Sequence, residues 1–235
     1  MSPRTKARVT GALFLATLLM GAFAQGFVAD RLVEYGNATL TASNILANEP
    51  LYRLAYAVYL IEMACQIAMT VLFYDLLKPV SRSLSLLAAI LGITGCTIKL
   101  VSRLYFASPL LVLGGAKYLS VFNAEQLHAQ ALLFLHVNHQ AETIAMVFFG
   151  FYALGKGYLV FRSTFLPRLL GVASVISGLG WLTYLYEPLA ARLLPFTLAV
   201  GLLVSLAYIA WLLAFGVNEQ RWLAEASASR ASIWR

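Results

Sequence analysis

Apolar residues in this chain come in long unbroken runs, each closed at its ends by charged or turn-forming residues. A helix that crosses a bilayer needs about 20 mostly apolar residues. Six runs meet that length, over residues 9–28, 54–77, 84–106, 141–161, 169–186 and 196–217. No long polar segment separates them. The pattern therefore predicts an all-α integral membrane bundle of six transmembrane helices, one domain over residues 1–217 followed by a tail over 218–235.

The connections differ in length. Short turns around Lys78-Pro79 and around Arg162–Arg168 join the second run to the third and the fourth to the fifth. The segments 29–50 and 107–140 are longer, and residues 44–54 suggest a short interfacial helix broken at Pro50. The first run resembles a secretory leader, with Arg4, Lys6 and Arg8 before it and Ala22-Phe23-Ala24 near its end. Its apolar length is enough to span, so it is read as an uncleaved first helix.

Composition agrees with the pattern. Of 235 residues, 61% are apolar and 11% charged, against about 45–50% and about 25% in soluble domains. A soluble globular enzyme and a disordered chain are both excluded, since disorder needs low hydrophobicity and dense charge. The net charge of +7 would suggest nucleic acid in a soluble protein. Here it follows from where the basic residues stand. Arg4, Lys6, Arg8, Lys78, Arg82, Lys156, Arg162, Arg168, Arg221, Arg230 and Arg235 fall on one side of the six-span topology. The opposite side carries Arg31, Lys117 and Arg192 among Asp30, Glu34, Glu49, Glu125 and Glu187, with Arg53 at the start of the second helix. The positive-inside rule then places both termini in the cytoplasm. No nucleic-acid partner is expected. Tyrosines and tryptophans near the run ends, among them Tyr52, Tyr56, Tyr59 and Tyr105, read as interfacial belts.

Ionisable groups inside a membrane are costly and mark candidate sites. Glu62 and Gln66 lie in the second run, Lys99 and Arg103 in the third, and His136, His139 and Glu142 at the start of the fourth. These seven share one depth, at the ends opposite the basic side, and form the candidate ligand-binding set. Lys99 and Arg103, one helical turn apart, suit an anion clamp. They also suit ion pairs with Glu62 and Glu142 that fix helix register, and both readings stay open.

His139 and Glu142 are three apart and could reach one metal ion from one turn, although no HExxH pattern surrounds them and the nearby basic residues oppose a cation. The set is therefore assigned no metal, with His139 and Glu142 as the candidates if one binds. A bis-histidine haem lacks a second helix to supply a ligand. Glycine-rich nucleotide loops are absent, and the only aspartates, Asp30 and Asp75, lie on opposite sides of the topology. No cofactor is indicated. Cys65 and Cys96 lie within apolar runs as packing residues, and the stripe Gly171-Ser174-Gly178 suits a tight helix contact.

Several segments carry a family resemblance. They are Leu51-Tyr52-Arg53, Tyr74-Asp75-Leu76-Leu77-Lys78-Pro79-Val80-Ser81-Arg82, and Gly157–Ser163 followed by Phe165-Leu166-Pro167-Arg168-Leu169-Leu170-Gly171-Val172, with Asn44-Ile45-Leu46 before the second run. Together they resemble the bacterial membrane family known as domain of unknown function 4386, from Arg8 to about Val217. The resemblance implies a six-helix protein of the bacterial inner (plasma) membrane and supplies no reaction. It also implies a Glu early in the last helix, where this chain reads Val204-Ser205-Leu206-Ala207.

The leading expectation is a multi-pass inner-membrane protein that binds a small anionic or lipid-like ligand in an outward-facing polar pocket. One alternative is an intramembrane hydrolase or transferase, metal-dependent through His139 and Glu142 or using them as acid and base. Another is an accessory subunit of a larger membrane complex. Expected partners are membrane lipids, with a membrane-protein partner or a second copy of the chain.

Overall fold

The protein was analysed as a computed structural model that describes residues 1–231. Arg235, counted above among the basic residues of the tail, lies outside the described residues. The architecture is all-α, and six helices among the described residues are long and apolar enough to cross a membrane. Helix α1 spans Pro3–Leu32 and is π-helical over Ala22–Ala29. A short α2 (Ala38–Ala47) precedes α3 (Glu49–Leu77) and α4 (Arg82–Val112). They are followed by α5 (Ala124–Arg162), α6 (Arg168–Leu182, extended by a 3₁₀ turn to Leu185), α7 (Glu187–Ala214) and α8 (Glu219–Ala231).

Each of the six apolar runs lies on one of the long helices, the last two overrunning theirs by one and three residues, but two connections differ from expectation. The segment 107–140 is largely helical, because α5 begins at Ala124. A reciprocal cap starts it. Asn123 Oδ1 accepts from the Gln126 backbone N–H at 2.9 Å, and Gln126 Oε1 accepts from the Asn123 N–H at 3.0 Å. This satisfies two amides that the helix itself cannot pair. The polar residues after it conceal the helix from an apolar-run criterion without weakening its backbone bonds. Pro50 does not break a helix. It sits in the first turn of α3, where a missing N–H is harmless and its fixed φ fits the helix. The short helix of this region is α2, capped by Asn37, whose side chain accepts from the Leu40 N–H at 2.9 Å.

The residues fall into two compact units. The first comprises Met1–Ala16, Cys65–Cys96 and the chain from Ile144 on; the second comprises Thr17–Ala64 and Thr97–Thr143. In the first unit Phe73, Leu76, Leu77, Leu159, Tyr208 and Leu212 form a buried core. Here α5 and α6 approach backbone to backbone. A Cβ at Gly171 would lie 2.5 Å from the Phe161 nitrogen and 2.7 Å from the Gly157 carbonyl oxygen. Ser174 Oγ donates to the Ala153 carbonyl across the same contact at 3.0 Å. The stripe Gly171-Ser174-Gly178 thus packs on α5, as small residues do where helices lack a hydrophobic drive to associate. Gly216, at φ +68°, ends α7 in a conformation that glycine adopts without strain, and the tail continues as α8.

The second unit has its own core, in which Ile45, Tyr52, Ala55, Tyr59, Phe106 and Leu135 are buried together. Tyr52 stacks on Phe106 with ring centroids 4.4 Å apart. Tyr59 meets the same ring edge-on at 5.2 Å. Both tyrosines are fully buried, which corrects their reading as members of an interfacial belt. Each hydroxyl has a protein partner, and neither needs water.

Candidate functional site

The second unit collects most of the candidate residues. Glu62 on α3 is reached by Lys99 of α4, whose Nζ donates to Oε1 at 3.0 Å. Arg103, one turn further along α4, pairs through Nη1 with Glu142 Oε1 of α5 at 2.5 Å. Asn138, one turn before Glu142, accepts from the same Nη1 at 3.5 Å. Glu62 and Arg103 are 3% and 1% exposed. The Lys99 and Glu142 side chains keep 13% and 15% of their surface open. The cluster is therefore buried at its centre and accessible at its edge.

Two cations and two carboxylates make the set formally neutral, which is how charge persists at low dielectric. Lys99 and Arg103 do not form a shared clamp, because each faces its own carboxylate. Their hydrogen bonding is also incomplete. Arg103 Nε and Nη2 and Glu62 Oε2 are buried without hydrogen-bond partners. The guanidinium plane instead lies over the Tyr59 ring, with Cζ 3.5 Å from the centroid. That stacking favours the cation by about 0.5–2 kcal/mol but satisfies no N–H. From Tyr59 a polar chain runs outward: its hydroxyl donates to Gln25 Oε1 at 2.6 Å, and Gln25 Nε2 donates to Asp30 Oδ1 at 2.8 Å.

His136 and His139 are exposed and stand against the Tyr35 ring, at centroid distances of 5.1 and 5.6 Å. Burial pushes the Tyr35 hydroxyl up to about 12, with the charges of Glu142 and Asp30 acting the same way and Arg103 opposing them. The phenol therefore stays neutral at physiological pH. Gln66 belongs to the first unit, where its backbone carbonyl accepts from Thr70 Oγ1 at 2.8 Å. Among the described residues, no three His, Cys, Asp or Glu side chains converge as a metal-ligating group.

Two participants escaped the sequence reading. Asn138 and Tyr59 are the immediate partners of Arg103, and each had a local signal. Asn138 precedes Glu142 by four positions and Tyr59 precedes Glu62 by three, the spacings that share a helix face.

A second buried charge lies in the first unit. Lys156 of α5 is 7% exposed. Its Nζ lies 4.6, 4.9, 5.2 and 5.6 Å from the ring centroids of Tyr208, Phe73, Tyr152 and Phe14. Among the described residues no carboxylate pairs with it. Burial separates Lys156 from Arg162 and Arg168, which are exposed around the turn that follows α5. At the first unit's own charged end, Asp75 accepts from Lys6 at 2.8 Å and from Lys78 at 2.7 Å.

The model of the family described as Domain of unknown function (DUF4386) matches residues 9–217 of the chain. No curated protein and no solved structure matches it. The chain belongs to the DUF4386 family, and it is a multi-pass membrane protein by its six spanning helices.

Proposed function

We propose that this family member is a ligand-binding protein of the bacterial inner membrane, and that the cluster of Glu62, Lys99, Arg103 and Glu142 takes a small anionic or lipid-like head group. The observation that carries this reading is the unfinished hydrogen bonding of the two most buried charges. Arg103 offers two unpaired donors, Nε and Nη2, and Glu62 one unpaired acceptor, Oε2. Each such group left buried costs about 1–3 kcal/mol, and charged ones more. A guest with an acidic group for Arg103 and an N–H for Glu62 removes that cost. A bare anion does so less well, since the cluster is already neutral and Glu62 and Glu142 would repel it. The favoured guest is therefore a phosphate or carboxylate that carries its own ammonium, as in a phosphoethanolamine head group. Lys99 and Glu142 form the open edge of the cluster, and Tyr35 with His136 and His139 stands near Glu142.

The hydrolase and transferase readings draw less support from the same geometry. The Glu142 carboxylate is held by Arg103, and His139 meets the Tyr35 ring at a tilt of 54° with no hydrogen bond directed at a shared reacting atom.

Phosphoethanolamine binding to the detergent-solubilised full chain, followed by calorimetry, tests the proposal. The expected result is saturable one-to-one binding that weakens about tenfold or more in the charge-conserving double variant Glu62→Gln/Lys99→Met. Binding of equal strength in that variant, or none in the wild type, overturns it.

The accompanying topology has both termini in the cytoplasm, supported by the distribution of Lys and Arg. A membrane-impermeant thiol reagent applied from outside should modify a cysteine placed at Ser120 and spare one at Thr164. Both positions are exposed. The reverse pattern contradicts the topology.

A further inference from the structure

A cavity of about 500 Å³ opens in the first unit between the turn that joins α3 to α4 and the tail helix α8. It is lined by Tyr74, Lys78, Pro79, Arg82, Trp222 and Ala226. Its charge is lopsided. Asp75 is shared between Lys6 and Lys78, so one carboxylate serves two ammonium groups, and among the described residues the exposed Arg82 guanidinium has no acidic partner. Lys6, Lys78 and Arg82 against Asp75 leave a local excess of two positive charges. Aromatic surface flanks the basic groups. Lys78 Nζ lies 5.8 Å from the Tyr74 ring centroid. Trp222 is fixed in place by a 2.8 Å hydrogen bond from Nε1 to the Leu76 carbonyl.

The surface beside the cavity is apolar. Leu86 and Ile90 follow Arg82 at intervals of four on α4, the same helix face, and are 47% and 52% exposed. On α3, Val71 stands one turn before Tyr74 and is 47% exposed. A basic, aromatic-rimmed cavity at the end of a spanning helix thus continues into an exposed hydrocarbon stripe. That sequence of surfaces matches the order of a phospholipid, phosphodiester first and acyl chain after it.

We infer that this cavity is a binding site for the head group of an anionic phospholipid, with Arg82 and Lys78 holding the phosphodiester and an acyl chain lying along Leu86 and Ile90. Arg82 supplies the planar fork suited to two phosphate oxygens, and Lys78 supplies a compact charge. Tyr74 and Trp222 occupy the interfacial depth that amphipathic rings prefer. The lipid, rather than free phosphate, is the occupant because the apolar stripe adjoins the charged one. This inference does not depend on the site in the second unit.

The test is native mass spectrometry of the full chain in detergent, titrated separately with dioleoyl-phosphatidylglycerol, dioleoyl-phosphatidylcholine and glycerol phosphate. One phosphatidylglycerol per chain should be retained, at least fivefold more tightly than phosphatidylcholine. Glycerol phosphate should be retained at least tenfold more weakly than phosphatidylglycerol. Arg82→Gln should reduce phosphatidylglycerol retention about fivefold, the ratio equivalent to about 1 kcal/mol for one basic residue at a membrane surface. It removes no ion pair, so the fold is not at stake. Lys78→Gln should act in the same direction, while Arg192→Gln, an exposed arginine remote in sequence and outside the cavity, should have no effect. The site is refuted by equal retention of the two lipids, by an unchanged Arg82→Gln variant, or by an equal loss in Arg192→Gln. Glycerol phosphate retained as tightly as phosphatidylglycerol would refute the lipid as occupant.

Discussion

Two regions of this protein bury positive charge, and they do it by different means. In the second unit Arg103 and Lys99 each meet a carboxylate, at 2.5 and 3.0 Å. In the first unit Lys156 meets no carboxylate among the described residues and is ringed by Phe14, Phe73, Tyr152 and Tyr208. Carboxylates compensate a cation fully but bring their own desolvation cost, so the cluster is stable only while all its members are present. Aromatic faces compensate a cation partially, through the ring quadrupole, and ask nothing in return when the cation is gone. The first arrangement is fragile to single substitutions, and the second is tolerant. The first also leaves donors and acceptors unpaired, which a guest can use. In the aromatic box the buried group without a hydrogen-bond partner is the uncharged Tyr152 hydroxyl.

The largest expected effect comes from separating the members of the cluster. Arg103→Leu leaves Glu142 buried without its counter-charge and should destabilise the protein by about 3–5 kcal/mol, read as a lowered unfolding midpoint in detergent. A loss under about 1 kcal/mol would mean that Glu142 finds water or another cation and that the burial is not carried by pairing.

A smaller effect, of opposite tendency, is expected at Lys156. Lys156→Met keeps an unbranched side chain of similar length among the rings and removes the cost of a buried ammonium. The unfolding midpoint should stay unchanged or rise, because cation–π attraction worth about 2 kcal/mol is lost together with a desolvation penalty of several. A drop comparable to that of Arg103→Leu would erase the distinction between the two regions.

The same contrast explains what the sequence discloses. The six spans are legible because each long helix contains an apolar run of sufficient length. The first part of α5 is not, since Glu125, His128, His136 and Asn138 interrupt the apolar pattern where the helix is set by its Asn123–Gln126 cap. The charged cluster is legible because charge inside a membrane is rare and Glu62, Lys99, Arg103 and Glu142 occupy one depth. Its pairing partners Tyr59 and Asn138 are hidden among residues that have ordinary roles elsewhere. Lys156 is harder still. Its rings come from α1, α3, α5 and α7, and only Tyr152, four positions before it, is a neighbour in sequence. Aromatic residues are so common in this chain that convergence of four of them is a property of topology, not of any local motif.

The buried charges of the second unit should act as one coupled set. A double-mutant cycle on Arg103 and Glu142 measures it directly, with unfolding free energies of the wild type, Arg103→Leu, Glu142→Leu and the double variant compared in one detergent. The double variant should be more stable than the sum of the single losses allows, with a coupling of about 1.5–3 kcal/mol. Losses that add to within about 0.5 kcal/mol would contradict it, and the proposed ligand site would lose its physical basis.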